Sequence, residues 1–161
     1  MFEDPRIAAL GGHMRARALC NFFCRVAAVA LPSIATAESC GDMTVLSSRF
    51  ETGERIELVL KSEMLERTKG WEVGHGEPPL PLGKASAVAT NWARAHLRKF
   101  ERVEISRIEF NRSPCLGSGE RWYYVFEFSP FIGGSRISVP GQWIAILMDG
   151  NVVEPTTLKP N

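Results

Sequence analysis

Reactive chemistry in this chain would have to be built from a short inventory. Outside its N-terminal segment it has two cysteines, Cys40 and Cys115, two histidines, His75 and His96, and a scatter of glutamates. A thiol nucleophile needs an adjacent base, usually an imidazole. His96 falls on the apolar stripe of a predicted helix, which predicts a structural role. His75 stands between Gly74 and Gly76, where a bare backbone would let a ligand approach, although a solvated loop histidine is the plainer reading. Ser118 sits in Gly117-Ser118-Gly119, which lacks the extra residue on each side that a nucleophile elbow has, and reads as a loop tip. Of the aspartates only Asp42 and Asp149 lie beyond the first segment, and Asp149 serves a turn. The glutamates alternate with apolar residues and mark solvent faces, not an acid–base pair. Two separated histidines and no close cysteine pair give no zinc spacing. Gly133-Gly134-Ser135 has no lysine after it and opens no helix, so it makes no phosphate cradle. No catalytic residue, metal or cofactor is expected.

Recognition residues are more abundant. Trp71, Trp122, Tyr123, Tyr124 and Trp143 are many for so small a chain. In Arg121–Phe128 the residues Trp122, Tyr124, Phe126 and Phe128 share one parity and belong to a core face, which leaves Tyr123 on the opposite face. Trp71, His75 and Tyr123 are therefore the candidates for the rim of a peptide or ligand surface. Packing of the Trp71 loop over the sheet is the competing expectation. Arg94, Arg98 and Arg102 form a basic stripe at helical spacing, either a solvated face or a dock for an acidic partner.

The elements that must position these residues follow from hydrophobic period. Thr44–Ser62 reads as two strands around a turn at Glu51-Thr52-Gly53-Glu54, because Ile56, Leu58 and Leu60 alternate with Glu57, Val59 and Lys61. One helical turn over Glu63–Arg67 precedes a Gly/Pro loop ending in Pro78-Pro79-Leu80-Pro81. A helix follows from about Lys84 to Phe100, with Ala85, Val88, Ala89, Trp92, His96 and Phe100 on its apolar stripe. Val103–Phe110 changes parity midway, which predicts a bulge near Ser106-Arg107. The strong strand Arg121–Phe128 comes next, then Ile137–Val139 and Trp143–Met148. The turn Asp149-Gly150-Asn151 leads into Val152-Val153. The fold class expected is α+β: one main helix packed on an antiparallel sheet of about four to six strands, with an N-terminal hairpin.

The first residues read as an address. Arg15, Arg17 and Arg25 precede an apolar run from Val26 to Ile34, and Ala35-Thr36-Ala37 leads into Glu38. A basic start, an apolar centre and small residues before the cut describe a secretory signal. Residues 1–37 are read as that signal, cleaved after Ala37, with Met14 a plausible true start; residues 38–161 form a single α+β domain. An uncleaved anchor or a buried helix is the alternative. Cys40 follows Glu38-Ser39, which does not fit lipoprotein processing. The whole chain, 161 residues with 45% hydrophobic and 23% charged, suits one folded domain. Losing Arg6, Arg15, Arg17, Arg25, Glu3 and Asp4 moves its formal charge from +1 to −1. Near-zero charge removes the main argument for nucleic acid or an anionic membrane as partner. No uncharged apolar run approaches about 18 residues, so no membrane span is expected. Two cysteines in an oxidising compartment predict a Cys40–Cys115 disulfide, with unpaired thiols as the alternative.

The Ala-rich helix Ala85–Leu97, the strand Tyr124-Val125-Phe126-Glu127 and the hairpin Ile146-Leu147-Met148-Asp149-Gly150-Asn151-Val152-Val153 together resemble PepSY-type domains, small exported α+β modules related in shape to cystatin-like folds. The resemblance spans about Lys84 to Glu154. It departs from the pattern in lacking the Thr/Ser-Gly that commonly follows the Asp, and in its long Pro130–Gln142 connection. It implies a non-catalytic module, sometimes inhibitory towards a peptidase, sometimes a sensor or interaction domain, and it carries over no site residue. The expectation is thus an exported, periplasmic or extracellular monomer that binds a protein or peptide. A small exported hydrolase or isomerase with a pocket between helix and curved sheet is the alternative.

Export has a direct consequence for mass. Protein made with its own signal in a Gram-negative host is expected to begin at Glu38 and to gain about two mass units on reduction. A full-length chain bearing free thiols would overturn both the cleavage and the bridge.

Overall fold

The computed structural model describes residues 41–114 and 120–159. The signal segment, the cut after Ala37 and the Cys40–Cys115 pairing lie outside the described residues, as does Ser118.

Alternating apolar residues build two antiparallel sheets. β1 (Met43–Arg49) and β2 (Arg55–Leu60) form the expected hairpin. Its turn is closed by the Phe50 amide donating to the Glu54 carbonyl at 2.8 Å. The hairpin does not extend the main sheet. Instead β8 (Thr156–Leu158) pairs with β2, giving a separate three-stranded sheet in the order β1-β2-β8. The main sheet runs β3 (Arg102–Arg112), β4 (Trp122–Ile132), β6 (Trp143–Leu147), β7 (Val152–Val153), with the short β5 (Ser135–Arg136) also paired to β4. Two helices, α1 (Ser62–Arg67) and α2 (Leu82–His96), complete the described elements. Mixed α and β with one main helix therefore holds, but sheet dominates, and the β structure is divided in two.

That division follows from β4, which has no polar face to give to water. Tyr124, Phe126 and Phe128 point to one side and pack with Ile144, Ile146 and Met148 under α2. Tyr123 and Val125 point to the other, where Ala145, Leu147 and Val153 join Leu58 and Leu60 of β2 and Leu65 of α1. A strand buried on both faces reads as a nearly continuous apolar run, and Trp122–Phe126 and Trp143–Leu147 do so. The β1-β2-β8 sheet is the cover for the second face.

α2 approaches through alanines. Ala85, Ala89 and Ala93 are spaced by four and buried, and Leu97 and Phe100 continue the contact beyond the helix. Small side chains let the helix axis come close to the aromatic row. His96 departs from its expected place: it is exposed, because the buried stripe runs through Ala93 and Leu97 instead. The bulge expected near Ser106-Arg107 is present, as the β3–β4 register shifts between Ile105 and Arg107. In the Asp149-Gly150-Asn151 turn, Gly150 takes φ 88° and the Asn151 amide donates to Asp149 Oδ1 at 3.0 Å.

The long connection before β6 is stitched to the second sheet at Gly141, which has φ 77°. A methyl group there would lie 2.8 Å from Ile56 Cδ1 of β2. Gly150→Ala should cost only its left-handed backbone, about 1–2 kcal/mol. Gly141→Ala should add a steric overlap of about 1–3 kcal/mol more. Thermal unfolding of both variants tests this, and combining Gly141→Ala with Ile56→Ala should destabilise by less than the sum of the two. Equal losses at the two glycines would mean that the connection does not press on β2.

Candidate functional site

The connection from α1 to α2 is held across the main sheet by the polar tips of β4 aromatics. The Trp71 amide donates to the Glu120 carbonyl at 3.1 Å. Trp122 Nε1–H donates to the Trp71 carbonyl at 3.0 Å, and Tyr124 Oη donates to the Leu80 carbonyl at 3.1 Å. Buried aromatics carrying a donor need such partners, and here the partners are backbone groups of a loop with no ladder of its own. Trp71 thereby lands on the aromatic row. Its ring centroid lies 5.7 Å from Trp122, edge-on, and 5.9 Å from Phe110. Phe110 stacks at 4.7 Å on both Trp122 and Tyr124.

This cluster ends at a sheet edge. Among the described residues no strand pairs with the outer side of β3. The bulge keeps Ile108 and Phe110 on the α2 side of the sheet although Val103 and Ile105 have the opposite parity. Ile108 is 40% and Phe110 38% exposed, large apolar side chains at the open margin. The opposite side of β3 is charged: Arg102 pairs with Glu104 at 3.0 Å, and Arg107 pairs with Glu109 and stands 3.9 Å from Glu127. Trp71, Phe110 and Ile108 thus form an apolar shelf along a free edge 11 residues long.

Of the three surface residues expected from sequence, the structure brings Trp71 and His75 to one cleft of about 500 Å³, which Glu72 and Glu77 also line. His75 Nδ1 lies 3.2 Å from Glu72 Oε2, with both side chains well exposed. Tyr123 does not join them. It is 5% exposed and packs in the core beneath the β1-β2-β8 sheet, so its place on a rim is corrected: the face opposite the helix is covered, not open. Trp71 packs over the sheet, as the competing expectation had it, and is half-buried beside the cleft. Phe110 and Ile108 were missed as surface residues; the parity change at the bulge was the available signal.

The remaining motifs fall elsewhere. Trp92 Nε1–H donates to Glu154 Oε1 at 2.7 Å. His96 stacks on Trp92 at 4.9 Å, donates through Nδ1–H to the Trp92 carbonyl at 2.9 Å, and sets Nε2 3.4 Å from the same carboxylate. This is a clamp between the end of α2 and the segment after β7. Arg94, Arg98 and Arg102 do not share a helix face, because α2 ends at His96 and Arg102 opens β3. Among the described residues there is no group of three or more His, Cys, Asp or Glu that could hold a metal ion, and no helix long and apolar enough to cross a membrane. No family model, no curated protein and no solved structure matches this chain.

Burial raises the pKa of both Tyr123 and Tyr124 above the ordinary phenol value, and the Glu109 carboxylate adds to the rise at Tyr123. The native state therefore holds both phenolic protons more tightly than the unfolded chain. That contribution to stability is complete below about pH 10 and is lost as pH climbs past it towards the raised values. These are the only two tyrosines in the chain, so phenolate absorbance reads them without interference. Both should titrate above the free phenol, together with alkaline unfolding. Titration at the free-phenol position in a folded protein would contradict their burial.

Proposed function

We propose that this chain is an exported, non-catalytic binding module that takes an extended segment of a partner protein along the outer edge of β3. The observation that carries the reading is the unpaired edge of an 11-residue strand beside exposed Ile108 and Phe110. Strand addition supplies affinity through main-chain hydrogen bonds and specificity through alternate side chains. An incoming strand opposite Arg107–Arg112 would set every second side chain on the Trp71–Phe110–Ile108 shelf. Its other side chains would meet the alternating Arg107, Glu109 and Glu127 charges. The same charges and the bulge discourage indiscriminate edge pairing, so the edge admits a matched segment, not any strand. Export is supported by the character of residues 1–37. The absence of a motif of chemistry agrees with this use, because backbone pairing needs no special residue. An inhibitory role towards a peptidase is one form such segment capture takes.

A hydrolase or isomerase would draw on His75 with Glu72 and Glu77 in the cleft beside Trp71. Those side chains are well exposed, so binding is the reading supported better.

Selection of displayed random peptides on the chain from Glu38 onward tests it. Enriched peptides should alternate apolar and polar residues, and adding one should slow hydrogen exchange of amides within residues 107–112. Ile108→Glu should weaken that binding about tenfold or more, as loss of an interface anchor does. Peptides that protect other strands, or bind Ile108→Glu unchanged, would overturn the proposal.

A further inference from the structure

The three arginines singled out by their spacing converge after all, not along a helix but around a hollow. Where the end of α2 diverges from the start of β3, a cleft of about 380 Å³ opens. Its floor is apolar: Leu97, Phe100 and Phe128 are buried there, and Val103 and Ile105 are half-covered. Arg94, Arg98 and Arg102 line it, with Glu101 as the one carboxylate among the lining residues. Arg102 is engaged, pairing with Glu104 at 3.0 Å and lying 4.2 Å over the Phe131 ring. Arg94 and Arg98 are exposed and have no ion-pair partner among the described residues. A basic residue in the last turn complements the helix dipole, which accounts for the charge of Arg94. It does not account for two arginines without an ion-pair partner among the described residues lining one cleft with half-covered Val103 and Ile105.

We infer that this cleft binds an amphipathic anion: an apolar chain ending in a carboxylate, its tail on Val103, Ile105 and Phe128 and its head between Arg94 and Arg98. The charge balance selects the head group. A cation would meet three arginines against Glu101, and a neutral polar head would leave the two free guanidinium groups unused. The apolar floor selects the tail, since covering Val103 and Ile105 removes hydrocarbon from water. A guanidinium also matches a carboxylate geometrically, with two parallel N–H donors. The cleft lies at the opposite end of β3 from the Ile108–Phe110 shelf, so the inference stands independently of segment capture.

Octanoate, octylammonium and octanol, titrated separately into the labelled protein and followed by amide chemical shifts, decide it. Octanoate should give saturable shifts at residues 90–105 and bind more tightly than either other probe, with affinity falling as salt is raised. Arg94→Gln with Arg98→Gln should weaken octanoate about fivefold, in keeping with two exposed ion pairs, and leave octanol unchanged. Arg94→Lys with Arg98→Lys should keep most of the affinity. The inference is overturned if octylammonium binds as well as octanoate, if the glutamine pair binds octanoate normally, or if no probe gives a saturable shift there.

Discussion

Burial of β4 on both faces is the constraint to which the other elements answer. Its residues from Tyr123 to Phe126 have no polar side to present to water, and Phe126 and Val125 are fully enclosed. Each such side chain is worth roughly 1.5–3 kcal/mol when removed from water. Two covers are therefore required. α2 supplies one, through alanines that bring its backbone near the aromatic row. The β1-β2-β8 sheet and Leu65 of α1 supply the other. Central position in the sheet follows from the same burial, because β3 and β6 must satisfy the backbone groups of a strand that water cannot reach.

The exposed apolar surface of the main sheet is what this packing leaves over. β3 contributes Val103, Ile105, Ile108 and Phe110 to the helix side of the sheet, but α2 crosses only part of it. At one end the loop carrying Trp71 takes over from the helix, tied down by the donors of Trp122 and Tyr124. At the other end, beyond His96, the arginine-lined cleft opens over Val103 and Ile105. The bulge between Ile105 and Arg107 lets both pairs face the same side despite their different parity. One extra residue in an edge strand thus sets Val103, Ile105, Ile108 and Phe110 on one side of β3. The charged pairs on its reverse keep that margin from being a general site of aggregation.

Much of the local structure was legible before any coordinates. The hairpin at Glu51–Glu54, the bulge, the aromatic parity of Trp122, Tyr124, Phe126 and Phe128, and the turn at Asp149–Asn151 are all written in short-range period and turn chemistry. Less legible were positions whose environment depends on a distant partner. Tyr123 has the parity of an outward residue, and on a sheet with one open face it would be outward. It is buried because β2 lies over it. His96 has helical spacing to Trp92 and looked like a stripe residue, but the helix turns Ala93 and Leu97 inward and leaves the imidazole stacked on Trp92 at the surface. Arg94, Arg98 and Arg102 form no helical stripe; a chain reversal, not a helix face, brings them to one cleft.

The sequence by itself marked most of the elements, because alternation, helical spacing and turn residues act between neighbours in the chain. The strand expected at Ile137–Val139 is absent, however, and the chain pairs there only through Ser135–Arg136. The sequence left Trp71 between two readings, a surface rim or packing of its Gly/Pro loop over the sheet, and the second is what its contacts with Trp122 and Phe110 show. Tertiary structure alone decided that the strands divide into two sheets. The pairing of Arg55–Glu57 with Thr156–Leu158 closes a contact across most of the described chain, and no local signal in so short a stretch as Thr156-Thr157-Leu158 announces it. That closure places a cover over Tyr123 and Val125, and so determines which face of the main sheet is core. Among the described residues it leaves the outer edge of β3 without a strand partner, because the second sheet covers a face of the main sheet and does not extend its edge.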